Sequence, residues 1–217
     1  MTKSINGKII VLISALVLIG VQNVCFGQAA VEASNNDTKH KHDGFYFHLA
    51  PGFGGTAIGE VDERDELIIS GGSSNTKIGI GYALVENLIV SLDIFGSVLV
   101  DPEVEINGQE LGEADAELTI ANVGLGMTYY LMPSNFYLSG SIGLATGELE
   151  TDFGTFDTDL GYGINFALGK EWWVSDNWGL GVATHLYYSS LPDENSIGEV
   201  SYLNTASIGI LFSATFN

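Results

Sequence analysis

From about residue 44 onward, apolar residues alternate with small or polar ones almost without a break. A period of two marks strands with two unlike faces. Eight such segments stand out, at about 44–53, 76–84, 88–100, 117–131, 136–149, 158–172, 178–190 and 202–216. In one of them Phe136, Leu138, Gly140, Ile142 and Leu144 fall on one face, and Tyr137, Ser139, Ser141, Gly143 and Ala145 on the other. Near the end, Ala206, Ile208, Ile210, Phe212, Ala214 and Phe216 alternate with Thr205, Ser207, Gly209, Leu211, Ser213 and Thr215. Most segments exceed the usual strand length and match the alternation of membrane-barrel strands.

Which face looks inward follows from composition. A soluble barrel would bury the large apolar set and show water a face rich in Lys and Glu. Here the second face is Gly, Ala, Ser and Thr with almost no charge. Turned inward, such small residues fit the narrow lumen of eight strands, and the large apolar residues face lipid. Closure then removes the unpaired edges that hydrocarbon would not tolerate.

The connections point the same way. Segments 54–75, 101–116 and 191–201 are long and 150–157 is intermediate, whereas 85–87, 132–135 and 173–177 are short. Outer-membrane barrels have short periplasmic turns and longer outer loops. Tyr129, Tyr130, Phe136, Tyr137, Trp172, Trp173 and Trp178 flank the short turns, with Phe45, Phe47 and Phe216 at that level. Tyr162, Tyr187, Tyr188 and Tyr202 lie near the long loops, so two aromatic girdles are expected.

Ahead of the strands, Lys3 and Lys8 precede an uninterrupted apolar or small run from Ile9 to Val21, with small residues at Cys25, Gly27 and Ala29. This predicts a secretory signal peptide over 1–27, or ending at 29, and a run too short for a helical span. A polar periplasmic segment over 28–43 and a barrel domain over 44–217 follow. Cys25 is the one cysteine, so the processed chain has neither disulfides nor thiolate chemistry. Seven Lys+Arg against 27 Asp+Glu, a formal net charge of −20, exclude a nucleic-acid binder that relies on a basic groove.

The closing segment, Ser207-Ile208-Gly209-Ile210-Leu211-Phe212-Ser213-Ala214-Thr215-Phe216-Asn217, is similar to the C-terminal strand signal read by the barrel assembly machinery. With the eight-segment pattern, it makes residues 44–217 resemble the small outer-membrane β-barrels of Gram-negative bacteria, the OmpA-membrane-domain and OmpX-like group. The family usually ends on the aromatic itself, whereas here Asn217 follows Phe216. The resemblance implies an all-β fold, an eight-stranded antiparallel transmembrane barrel in the outer membrane with both termini periplasmic. It implies outer-membrane lipid, lipopolysaccharide and the assembly machinery as partners. A monomer with a structural or surface-interaction role is expected. A narrow pore, or a barrel that binds a small hydrophobic ligand or lipid, is the first alternative. A soluble ligand-binding barrel is the rival fold.

Candidate chemistry is sparse. Most acids sit in the long connections, among them Glu60, Asp62, Glu63, Asp65 and Glu66 in the first and Glu103 and Glu105 in the second. Clustered carboxylate oxygens suit a hard divalent cation. No loop has calcium-loop spacing, so a solvated, repulsive crown without a cofactor is the expectation. Parity places His48, Lys77, Asp93, Asn122, Asn165, Glu171 and His185 in the lumen. With a three-residue first turn, Gly79 faces Asp93 and Lys77 becomes its diagonal neighbour, a pair that would plug the pore. Some barrels of the resembled group are lipid A-modifying enzymes that use a His, a Ser and an acid. His185 and Ser189, with Asp193 or Glu194 beyond, offer such a set. Four strand residues nevertheless span about 13 Å, too far for base and nucleophile, so no catalysis is expected. Lys39-His40-Lys41-His42-Asp43 could bind metal through alternating histidines, but reads as a tethered basic tail.

Overall fold

The computed structural model describes residues 40–61, 66–194 and 200–217, and the signal peptide and most of the 28–43 segment lie outside the described residues. Among the described residues eleven strands form: β1 (Phe45–Val61), β2 (Glu66–Val85), β3 (Leu88–Val100), β4 (Glu103–Ile106), β5 (Gln109–Glu113), β6 (Ala116–Leu131), β7 (Phe136–Thr151), β8 (Gly154–Asp157), β9 (Gly161–Trp173), β10 (Trp178–Glu194) and β11 (Val200–Phe216). Eight of them close a ring in the order β1-β2-β3-β6-β7-β9-β10-β11, with β11 returning to β1 and every pairing antiparallel. The eight expected strands are thus the eight staves of the barrel.

The long connections differ from expectation. The β1–β2 ladder runs unbroken from Phe45↔Tyr82 to Val61↔Glu66, through the segment expected as a loop. Segment 101–116 folds into the β4–β5 hairpin, which turns at Asn107 (φ 53°) and Gly108 (φ 77°) and pairs through β4 with the far part of β2. Positive φ at both central residues is what a tight two-residue hairpin turn demands. Likewise, β8 folds back on β7. The reason is physical: alternation records a strand between two unlike solvents. Towards Val61↔Glu66 small residues stand on both faces, although Thr56, Ile58 and Ser73 still point inward, so the period fades while the backbone ladder continues. β1 and β11, 17 residues each, would extend roughly 56 Å at about 3.3 Å per residue. A tilted membrane strand needs only about 9–11 residues.

Large apolar side chains cover the outside: Phe53, Leu92, Leu125, Leu138, Ile142, Phe166, Leu186 and Ile208 are each more than half exposed. The lumen holds the polar ones, with serines, threonines, asparagines and the charged or imidazole groups His48, Lys77, Asp93, Glu171 and His185 buried there. Two inward apolar layers cap this polar middle. One, near the short turns, contains Tyr46, Ile89, Tyr130, Tyr137 and Leu211; the other, towards the hairpins, contains Phe95, Leu99, Leu118, Ile120, Tyr187 and Leu191. Gly169 makes room for the first layer, since a Cβ there would stand 2.5 Å from Tyr137 Cζ.

The girdle is smaller than expected. Tyr129, Phe136 and Trp172 are exposed on the wall, and Trp178 meets Phe216 edge-on at 5.3 Å. Tyr130, Tyr137 and Tyr187 instead point inward, only 1%, 2% and 4% exposed, and Trp173 lies under the chain that leads into β1. Consecutive strand residues alternate sides, so of the neighbours 129/130, 136/137 and 172/173 only one of each can face outward.

Candidate functional site

Three places carry polar chemistry: the lumen, the short-turn mouth and the hairpin crown. In the lumen, Gly79 pairs with Asp93 and puts Lys77 diagonally across the β2–β3 ladder. Lys77 Nζ lies 3.0 Å from Asp93 Oδ2 and donates to Ser139 Oγ at 2.6 Å. The Asp93 carboxylate also accepts from Ser91 Oγ at 2.6 Å and Ser141 Oγ at 2.5 Å. A buried ion pair endures when extra hydrogen bonds fill the remaining lone pairs, as they do here.

Glu171 belongs to a separate group nearer the short turns. Its Oε1 accepts from Thr215 Oγ1 at 2.6 Å and Ser213 Oγ at 3.1 Å, with His48 Nδ1 at 3.8 Å. His185 forms a third group, its Nδ1 3.3 Å from Asn165 Oδ1, beside a small cavity lined by Lys77, Phe95, Asn165 and Tyr187. Of the five lumenal charged or imidazole candidates, Lys77 and Asp93 form an ion pair and His48 lies 3.8 Å from Glu171, while His185 bonds Asn165 instead. Ser189 also faces the lumen and is fully buried, so neither it nor His185 looks onto lipid. The hydroxyl partners Ser91, Ser139, Ser141, Ser213 and Thr215 were missed as site residues, although their inward parity was readable. The same holds for Asn75, whose Oδ1 accepts from Ser97 Oγ at 2.6 Å and from Ser207 Oγ at 3.3 Å.

The short-turn mouth is where the sequence places a tethered basic tail. Its last residues clasp the barrel. The His42 backbone bonds Asn87 in the β2–β3 turn in both directions, N to Oδ1 at 3.3 Å and O from N at 2.9 Å. The fully buried His42 ring stacks on Tyr130 with centroids 3.4 Å apart. Its Nε2 lies 2.7 Å from Asn135 Oδ1, and its Nδ1 2.7 Å from Asn217 Nδ2. Those partners assign the neutral tautomer, with Nε2–H donating and Nδ1 accepting. Burial pulls the imidazole down to about 4, against the opposing pull of the Asn135 oxygen on Nε2–H. His40 stacks on Trp173 at 4.8 Å, and Lys41 pairs with Glu86 at 3.0 Å in the open. Asn87 and Asn135 sit at φ 68° and 56°, which Asn tolerates better than most residues.

In the crown, Glu60 and Glu66 lie on either side of the β1–β2 turn, while Asp62, Glu63 and Asp65 lie outside the described residues. Glu103 and Glu105 stand on β4, opposite Ser70 and Ile68 of β2. Among the described residues no three His, Cys, Asp or Glu side chains gather closely enough to hold a metal ion.

A closed antiparallel ring, an apolar wall and a polar lumen define an eight-stranded transmembrane β-barrel. No family model and no curated protein sequence matches the chain. Among solved structures it is similar to the outer membrane protein OprG of Pseudomonas aeruginosa, at 14% identity and TM-score 0.49, over 82% of this chain and 99% of that one. It is also similar to Neisserial surface protein A, at 11% and 0.47 over 79% and 96%, and to the outer membrane protease OmpT of Escherichia coli, at 8% and 0.43 over 85% and 99%.

Proposed function

We propose that this chain is an exported barrel of a Gram-negative outer membrane, with a structural or surface-interaction role and no catalysis of its own. The observation that carries the proposal is the inversion of the barrel: large apolar side chains cover the wall while charged and polar ones fill the lumen. A water-soluble protein has no use for that arrangement, whereas hydrocarbon requires it. In this reading the short turns, the His42 clasp and both termini are periplasmic, and the β1–β2, β4–β5 and β7–β8 hairpins project outward. The even number of staves and the signal-peptide pattern support that topology.

Outer-membrane lipid and lipopolysaccharide surround the wall, and the barrel assembly machinery handles the chain during insertion. The filled lumen favours a structural role over a channel, because eight strands leave room for side chains rather than an aqueous path. The acidic hairpins repel one another and present a solvated crown to the outside.

Gel migration of the outer-membrane fraction, with and without boiling, tests the proposal. A processed protein that resists SDS until heated is the expected result. A protein released into the periplasmic extract without detergent, and with no heat-dependent shift, would overturn it.

A further inference from the structure

Resting on the membrane placement just proposed, we infer that Lys170 and the rings around it form a headgroup site for an anionic phospholipid at the short-turn edge of the wall. Lys170 is outward on β9, between the exposed Leu168 and Trp172, and pairs across the sheet with Phe136 of β7 and Val182 of β10. Its Nζ donates to Ser134 O in the β6–β7 turn at 3.0 Å. The same atom lies 4.5 Å from the centre of the Phe136 ring and 5.8 Å from that of Trp172. The stem therefore lies on apolar wall while the charge reaches towards the turn, as a lysine does at the level where hydrocarbon ends.

An ammonium has three donors, and one backbone carbonyl takes one of them. Among the described residues the other cations are matched: Lys41 with Glu86 and Lys77 with Asp93. Lys170 makes no ion pair there. A positive charge fixed at the headgroup level, flanked by aromatic rings and without a carboxylate, is complementary to a lipid phosphate whose charge its own headgroup does not cancel. Phosphatidylglycerol has that chemistry, and phosphatidylcholine does not. The chain as a whole opposes such binding, since its formal net charge is −20. A preference for anionic lipid therefore requires a local cause.

The three tryptophans make the test direct: Trp172 and Trp178 flank the β9–β10 turn beside Lys170, and Trp173 lies between them in sequence. The refolded barrel is placed in vesicles of brominated phosphatidylglycerol mixed with unlabelled phosphatidylcholine, then in vesicles with the label exchanged. Quenching of tryptophan fluorescence gives the relative affinity of the two headgroups. One interfacial lysine corresponds to about a fivefold preference for the anionic lipid. Lys170→Gln should bring the ratio to about one, and Lys170→Arg should keep it; Lys170→Met replaces the glutamine variant if that one refolds poorly. Equal affinities in the unaltered protein, or a preference that survives Lys170→Gln, would overturn the site. A ratio abolished by inorganic phosphate, but not by chloride at the same ionic strength, would make it a site for soluble phosphate and also overturn the lipid assignment. Absence of quenching by either brominated lipid would instead remove the membrane placement itself.

Discussion

Replacing His42 by Ala should cost the barrel about 3 kcal/mol, although the residue lies outside every strand. The change removes hydrogen bonds at 2.7 Å to Asn135 and Asn217, each worth about 1 kcal/mol net. It also removes the stack on Tyr130, worth about 1 kcal/mol beyond the area it covers. The pH dependence separates the clasp from generic packing. The folded imidazole titrates at about 4, below the unfolded value of about 6.5, so the unfolded chain binds more protons between the two. Stability from His42 is therefore fully present above pH ~6.5 and lost as pH falls towards 4. The linkage amounts to about 2 kcal/mol by pH ~5 and about 3 kcal/mol below pH ~4. Urea unfolding of the barrel in lipid vesicles at pH 7.5 and 5, followed by tryptophan fluorescence, reads both effects. His42→Phe keeps a ring over Tyr130 and should remove this component of the pH dependence. An identical loss of stability at pH 5 in His42→Phe and the unaltered protein would refute the reasoning. That result would mean that the Asn217 amide turns over and offers Oδ1 to an imidazolium.

Three other substitutions have defined outcomes. Lys77→Met leaves Asp93 buried with hydroxyl donors alone and should cost about 3–5 kcal/mol, with Lys77→Met/Asp93→Leu recovering much of it; urea midpoints decide. Gly169→Ala drives a methyl into the Tyr137 ring and should destabilise by about 1–3 kcal/mol, whereas Gly140→Ala, with only Phe166 ring atoms at 3.5 Å and 3.6 Å, should be nearly neutral by the same measurement. Leu125→Arg, at a residue 65% exposed on the wall, should cost about 2–4 kcal/mol if that level is mid-bilayer; unhindered folding into vesicles would contradict the inside-out assignment.

Legibility in the sequence followed the solvents. Where one face meets lipid and the other a crowded lumen, as along Phe136 to Ala145, alternation reported both strand and side. Parity alone then placed Lys77, Asp93, Glu171 and His185 inside. Along 54–61 and 66–75 glycines and serines stand on both faces, so the period blurs and hides a ladder that continues to Val61↔Glu66, although Thr56, Ile58, Ser73 and Asn75 still point inward. The girdle is smaller than its turn-flanking aromatics suggest for a related reason: closeness to a turn says nothing about side, and Tyr130 and Tyr137 obey the two-residue period by pointing in. The hydroxyls on Asp93 and Glu171 are invisible as a set because Ser141 and Thr215 each lie two staves from the carboxylate they hold, and only closure of the ring brings them together across the lumen.

The clasp is not legible in the sequence, because each of its parts has an ordinary reading alone. His42 belongs to an exposed-looking basic run, Asn87 and Asn135 are turn residues, and Asn217 is one residue beyond an aromatic at which similar strands usually stop. Closure of the barrel joins them. Once β1 pairs with β11, the chain entering β1 and the residue leaving β11 arrive at the same mouth, and Asn217 N bonds Asn177 O at 3.0 Å while its side chain holds His42. Asn217 thus makes a contact across the β1–β11 seam, the one stave pairing in the ring whose two strands no connecting segment joins. An imidazole with both nitrogens engaged suits that seam, because it ties the entering chain to β11 through Asn217 and to the β6–β7 turn through Asn135 in one rigid plane.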